Sequence, residues 1–135
     1  MKTKIFNLIG KRGIVPIVAP DNINLPKNIY SFDNCCGPGK GIAEIAIPDK
    51  ILGLKISAAC FVHDYMWKNS QKSWVDFHHS NSVFLNNILS IVTNETKYSF
   101  IRFIRCNMAI TYYIAVNCEI GKVIFWKIHR GVENE

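Results

Sequence analysis

From about Leu54 onward, apolar and polar residues alternate with the period of a helix. Ile56, Ala59, Cys60, His63 and Trp67 stand at i, i+3, i+4, i+7 and i+11, which collects them on one face of a helix over about residues 54–70. The polar run KNSQKS ends it. A second helix is predicted over about 75–92, where Phe84, Leu85, Ile88, Leu89 and Val92 repeat at three- and four-residue spacing. A third, over about 97–116, carries Phe100, Ile101, Ile104, Met108 and Tyr112. The first two are joined by a short link and therefore run antiparallel. Residues 1–34 show no such period. Pro16, Pro20 and Pro26 interrupt short apolar pairs, so this stretch reads as an irregular lead-in. The tail GKVIFWKIHR reads as a short strand or packed extension. The expected fold class is mainly α, a single domain over residues 1–135.

Composition narrows the function classes. A length of 135 residues suits one domain, and 49% hydrophobic with 19% charged residues excludes a disordered chain. The net charge of +6 favours acidic partners. Twelve of the 16 basic residues are Lys and no nucleic-acid-binding motif is present, so nucleic acid is not the expected partner. The most apolar long stretch, 108–126, contains Glu119 and Lys122 and reads as core, not as a transmembrane segment. Near the amino terminus the apolar run is cut by Lys11 and Arg12, leaving no recognisable signal peptide. The expected site of synthesis is the cytoplasm.

Two local features carry chemistry. Cys36-Gly37-Pro38-Gly39 is a backbone-dominated loop whose carbonyls and amides can point at a ligand. On the first long helix, His63 and Asp64 are neighbours, about 100° apart around the axis, and need separate partners if buried. A loop of inward carbonyls with a calcium ion between would satisfy the Asp64 carboxylate. Zinc is a rival: Cys60 and His63 at i, i+3 could join Cys35 and Cys36 as four ligands, although Asp64 then has no role. His78 and His79 point to different sides of a helix and do not form a metal pair. Trp67, Trp74, Tyr65 and Met66 are assigned to the core in preference to an apolar rim for acyl chains.

CCGPGKG followed some twenty residues later by AACFVHDYMW resembles the phospholipase A2 superfamily, in its viral and bacterial branches more than in its disulfide-rich venom branch. FLNNI at 84–88 and the TYYIAV…GKVIFW tail look more loosely like small phage or prophage members. The resemblance implies a phospholipase A2-like fold, with a calcium loop at 35–41 and two antiparallel helices carrying the site. It implies Ca2+ held by the Asp64 carboxylate and the backbone carbonyls of Cys35, Gly37 and Gly39. His63 becomes the general base, and the Gly37 N–H stabilises the oxyanion at the sn-2 ester of a phospholipid. The same resemblance pairs Cys36 with Cys60, and it implies a membrane surface, preferably anionic, as partner.

Two positions depart from the family pattern. Asn81 stands where the family has the Asp that orients the imidazole, and Trp67 stands where it usually has Tyr. An Asn oxygen can hold the imidazole tautomer but cannot stabilise its protonated form, a difference worth up to about four orders of magnitude in a related triad. Two readings therefore stay open: a calcium-dependent esterase, and a catalytically weakened or inactive relative that binds lipid or a partner. One carboxylate plus neutral carbonyls gives a dissociation constant of ~10⁻⁴–10⁻³ M. Such a site would be empty in cytosol and filled outside, after lysis or export.

Overall fold

The structure is a computed structural model that describes residues 1–32, 48–71, 73–118 and 121–127. The described chain opens with a hairpin of β1 (Thr3–Ile9) and β2 (Ile14–Pro20), paired antiparallel from Thr3 with Pro20 to Ile9 with Ile14. A second, minimal hairpin of β3 (Lys50–Ile51) and β4 (Leu54–Lys55) precedes α1 (Ser57–Asn69), α2 (Trp74–Glu95) and α3 (Ser99–Asn117). A short helix, α4 (Gly121–Lys127), follows. The architecture is mixed, with helices and two small antiparallel sheets, and corrects the mainly α expectation.

The irregular lead-in expected over 1–34 is in large part a β-hairpin. Val15, Ile17 and Ala19 are fully buried at alternate positions, the period of a half-buried strand, and Pro16 among them and Pro20 just after them obscure it. Both prolines are tolerated for one reason. Val18 exchanges two hydrogen bonds with the Asn87 side-chain amide, N–H to Oδ1 and C=O from Nδ2, each 2.8 Å, and the Pro16 carbonyl accepts from Ser90 Oγ at 2.6 Å. The even-numbered positions of β2 therefore face α2 and not β1, so the N–H groups missing at Pro16 and Pro20 are lost from no ladder. Asn87 and Ser90, three residues apart on α2, close an edge that would otherwise be open.

The helices lie where their periodicity puts them. Ser73 caps α2 by accepting from the Asp76 N–H at 3.1 Å, and Asp76 turns back to accept from the Gln71 N–H at 2.8 Å. Helices α1 and α2 run antiparallel, since Trp67 packs on Phe77 while His63, a turn earlier, stacks on Phe84. The tail expected as strand or extension is helical instead. Its apolar run VIFW suits either state. Phe125 is buried against Trp67 and Phe77, and Trp126 stacks on Trp74 at 4.3 Å. A side chain at Gly121 would place Cβ 1.9 Å from the Val116 carbonyl, so the turn into α4 requires glycine. Among the described residues, no single helix is long and apolar enough to cross a membrane.

Two polar anchors tie the small sheets to the helices. The tight turn of β3–β4 has positive φ at both Leu52 (45°) and Gly53 (78°). Arg105 of α3 holds it by donating to the carbonyls of Ile51 and Leu52 at 3.1 and 2.6 Å, and reaches Thr96 Oγ1 as well. Next to Thr96, at the last residue of α2, Glu95 accepts from the backbone N–H groups of Lys11 and Arg12 at 2.7 and 2.9 Å and from the Tyr30 hydroxyl at 2.6 Å. Burial raises the Glu95 pKa, but these hydrogen bonds and the Arg12 charge outweigh it and hold the carboxyl below its ordinary 4.5. A Cβ on Gly10 would lie 2.6 Å from that carboxylate.

Because its folded pKa is depressed, Glu95 contributes stability that is present above about pH 4.5 and lost as the pH falls below it. Glu95→Gln turns an N–H donor toward amides that need acceptors. It is expected to lower the unfolding free energy by about 1–3 kcal/mol at pH 7 and to remove the corresponding acid step. Urea denaturation at pH 7 and pH 3.5 checks this; equal stability of wild type and variant at pH 7 would refute it.

Candidate functional site

The first turns of α1 are lined with small and apolar residues, Ala58, Ala59, Cys60 and Val62, all buried, and this lets α2 approach closely enough to cover His63. His63 is only 4% exposed. Its ring stacks on Phe84 at 4.4 Å and lies against Trp67 at 4.6 Å. Its Nε2 is 2.7 Å from Asn81 Oδ1, and Trp67 Nε1–H donates to that same oxygen at 3.1 Å. The other end of the amide faces α3: Asn81 Nδ2 is 3.2 Å from Asn117 Oδ1 and 3.4 Å from the Val116 carbonyl.

These partners settle the protonation pattern. The indole N–H can only donate and the Val116 carbonyl can only accept, so Asn81 turns its oxygen to α1 and its nitrogen to α3. An oxygen can pair with His63 Nε2 only if that nitrogen carries the proton. Neutral His63 is therefore the Nε2–H tautomer, and its lone pair is at Nδ1, which has no hydrogen-bond partner among the described residues. Burial pushes the imidazole pKa down to about 4, with the Asn81 bond offsetting part of the effect. At neutral pH the ring is an uncharged base, oriented on both sides by aromatic packing.

Asp64 follows on the adjacent face. Its Oδ2 pairs with Lys68, one turn on, at 3.0 Å, while its Oδ1 is buried and has no partner. A buried carboxylate oxygen without a donor is the kind of atom that a hard cation satisfies. For calcium it would be one of the six to eight oxygens that ion takes. Among the described residues no group of three His, Cys, Asp or Glu side chains could hold a metal. Further oxygens would have to be backbone carbonyls, and the ones the resemblance points to, at Cys35, Gly37 and Gly39, lie outside the described residues, as do the Gly37 N–H and Cys36. The described flanks of that segment converge on α1. Phe32 packs on Phe61 at 5.4 Å, and the Asp49 carbonyl accepts from the Ile56 N–H at 2.8 Å.

Cys60 is disulfide-bonded, whereas Cys106 and Cys118 are free thiols. With no thiolate at Cys60 and Nε2 of His63 facing Asn81, the zinc alternative built on Cys60 and His63 fails. Trp67 and Met66 are buried, as a core assignment requires, Tyr65 is part-buried and packs against the core, and Trp74 is half exposed. Asp76 is occupied with the α1–α2 link and plays no part at His63. His78 Nδ1 lies 3.2 Å from Asn117 Oδ1, the oxygen that also accepts from Asn81, and makes no contact with His63 itself. Sequence reasoning missed Val116 and Asn117 as the far support of Asn81. No local signal marks them, because they stand 35 and 36 residues away in the chain. The sequence marks Phe84 only as one of the apolar positions of α2, and its place against the imidazole is a further contact that periodicity does not show.

The chain matches no protein-family model, no curated protein and no solved structure.

The depressed His63 pKa has a defined sign in stability. The unfolded chain takes up a proton near the ordinary 6.5 while the folded one resists until about 4, so stability falls as the pH drops through this window and levels off below it. At about 1.4 kcal/mol per pH unit the loss is on the order of 2–4 kcal/mol. Asn81→Asp places a carboxylate against the ring and is expected to raise the His63 pKa by at least a unit. Imidazole NMR titration of both proteins tests this; a wild-type pKa above 6, or no rise in the variant, would contradict it.

Proposed function

We propose that this chain is a phospholipase A2-like esterase that hydrolyses the sn-2 ester of phospholipids at a membrane surface, with calcium held at Asp64. The observation that carries the reading is the pairing of two adjacent α1 residues in different states. His63 is a buried neutral base with its tautomer locked, and Asp64 beside it holds a buried, partnerless carboxylate oxygen. The disulfide at Cys60, one turn before His63, and the convergence of Phe32 and Asp49 on α1 support it further.

In this mechanism Asn81 and Trp67 keep Nε2 protonated, so Nδ1 is the atom that takes a proton from an attacking water. Phe84 and Trp67 hold the ring plane and exclude solvent from its other faces. Asp64 would hold the cation with the carboxylate oxygen that has no partner, while Lys68 pairs with Oδ2. Calcium, when bound, supplies electrophilic stabilisation of the ester oxygen. After attack the proton on Nδ1 passes to the leaving alcohol, which returns His63 to its neutral state. The net charge of +6 favours anionic surfaces.

A second reading has its own observation. The network behind His63 is neutral throughout, so an imidazolium formed during turnover gains no counter-charge from Asn81 or Trp67. On that reading the chain is a weakened or inactive relative that binds lipid or a partner.

Fatty-acid release from mixed anionic and zwitterionic vesicles, at millimolar calcium and with chelator, separates the two. The esterase reading expects calcium-dependent release that His63→Gln abolishes and Asn81→Asp increases by ten-fold or more. No release from wild type with clear release from Asn81→Asp would establish the inactive relative. Silence from all of them, with no calcium binding, would dispose of the esterase reading.

A further inference from the structure

Helix α3 has an inward stripe that the rest of the described chain covers and an outward apolar stripe that it leaves open. The covered stripe, Arg102, Arg105, Ala109, Tyr112 and Val116, runs at three- and four-residue steps. Its Arg side chains are tied to Thr96 and to the β3–β4 turn, and Ala109 and Val116 are fully or almost fully buried. Two positions out of phase, Phe100, Phe103, Asn107, Ile110 and Ile114 repeat the same 3-4-3-4 spacing on the opposite face. The four apolar members are 72%, 68%, 45% and 61% exposed, and Asn107 at the centre is exposed too. A contiguous exposed apolar stripe of this length marks an interaction surface.

We propose that this outer stripe of α3 is a self-association seam that packs against the same stripe of a second copy of the chain. Three features favour a second copy over a lipid surface. The spacing is that of a coiled-coil seam, in which each apolar residue fits between those of a facing helix. The polar position falls seven residues from each end, the place where a single Asn sets register between paired helices but would be costly against acyl chains. The two arginines within α3 are turned inward to Thr96, Ile51 and Leu52, so no basic side chain of the helix itself lies beside the stripe, as the polar face of a helix seated on anionic lipid would require.

The area is sufficient. Four large side chains at these exposures present on the order of 400–500 Å² per copy, which with flanking residues reaches the roughly 1,000 Å² total that a specific interface needs. In an antiparallel two-fold pair the Phe100–Phe103 end of each helix meets the Ile110–Ile114 end of the other, and Asn107 lies near the axis. This inference does not depend on the esterase reading.

Sedimentation equilibrium of the full chain at about 1–100 µM, a range that brackets weak to ordinary interfaces, tests it. Wild type is expected at twice its 15.4 kDa mass. Phe103→Glu and Ile110→Glu, both at exposed positions, are each expected to return it to monomer with unchanged far-UV circular dichroism. Asn107→Ile is expected to tighten association ten-fold or more. A wild type that stays monomeric to 100 µM overturns the proposal, as does a dimer that survives both Glu variants. A monomer that instead binds anionic vesicles through Phe103 also overturns it and assigns the stripe to lipid.

Discussion

One neutral side chain joins three helices at the centre of this protein. Asn81 accepts from His63 and Trp67 of α1 with its oxygen and donates toward the end of α3 with its nitrogen. It is fully buried, and so is the indole that donates to it. Each polar atom in this cluster depends on another, so removing any one leaves a buried donor or acceptor unpaired. The surrounding rings have few alternatives either. Phe84 and Trp67 lie on the imidazole, Phe77 and Phe125 lie on Trp67, and the stack holds α1, α2 and α4 at one spacing. A residue that could accept on only one side, or donate on only one, would not link α1 to α3.

The same device recurs along α2. Asn87 and Ser90 satisfy the free edge of β2, and Glu95 satisfies the amides of the β1–β2 turn. A helix whose buried stripe carries Asn81, Asn87 and Glu95 looks poorly designed for burial until each polar group is matched to its partner. The partners include backbone groups left over by other elements, at a strand edge, a hairpin turn and the last turn of α3, beside the side chains of His63, Trp67, Asn117 and Tyr30. α2 is thus the spine of the fold in a polar as well as an apolar sense. Its apolar residues bury Phe77, Phe84, Ile88 and Ile91, and its polar residues orient what packs on it.

This division decides what could be read from the sequence. Helices α1, α2 and α3 were legible to within a few residues because their apolar positions recur locally, and His63 and Asn81 were legible as a pair only through the family pattern that the two motifs resemble. The hairpin was not. Its alternation is short, Pro16 and Pro20 mask it, and the reason they are tolerated lies 69 residues away at Asn87. The helical tail was ambiguous because four consecutive apolar residues carry no period. Arg105, Glu95, Val116 and Asn117 were invisible for a shared reason. Each acts on backbone groups or side chains distant in the chain, and a residue type alone does not announce a distant partner.

The neutrality of the Asn81 cluster also bears on what the site can do. In a buried aromatic surround, an imidazole facing an amide stays unprotonated, which keeps Nδ1 available at every pH above about 4. A carboxylate at position 81 would make that imidazole a stronger base, but it would have to be desolvated in the same cavity. Trp67 Nε1–H and the His63 N–H would then offer it only two hydrogen bonds, and Val116 and Asn117 would lose the donor that Asn81 now aims at them. Asn at 81 and Trp at 67 are therefore matched to each other: the amide supplies both a donor and an acceptor, and the indole supplies the second donor its oxygen can take. The pair exchanges electrostatic support of a charged imidazole for a fully satisfied, uncharged core. On the proposed esterase reading, catalysis through His63 would be limited by the energy of the protonated ring, not by its orientation.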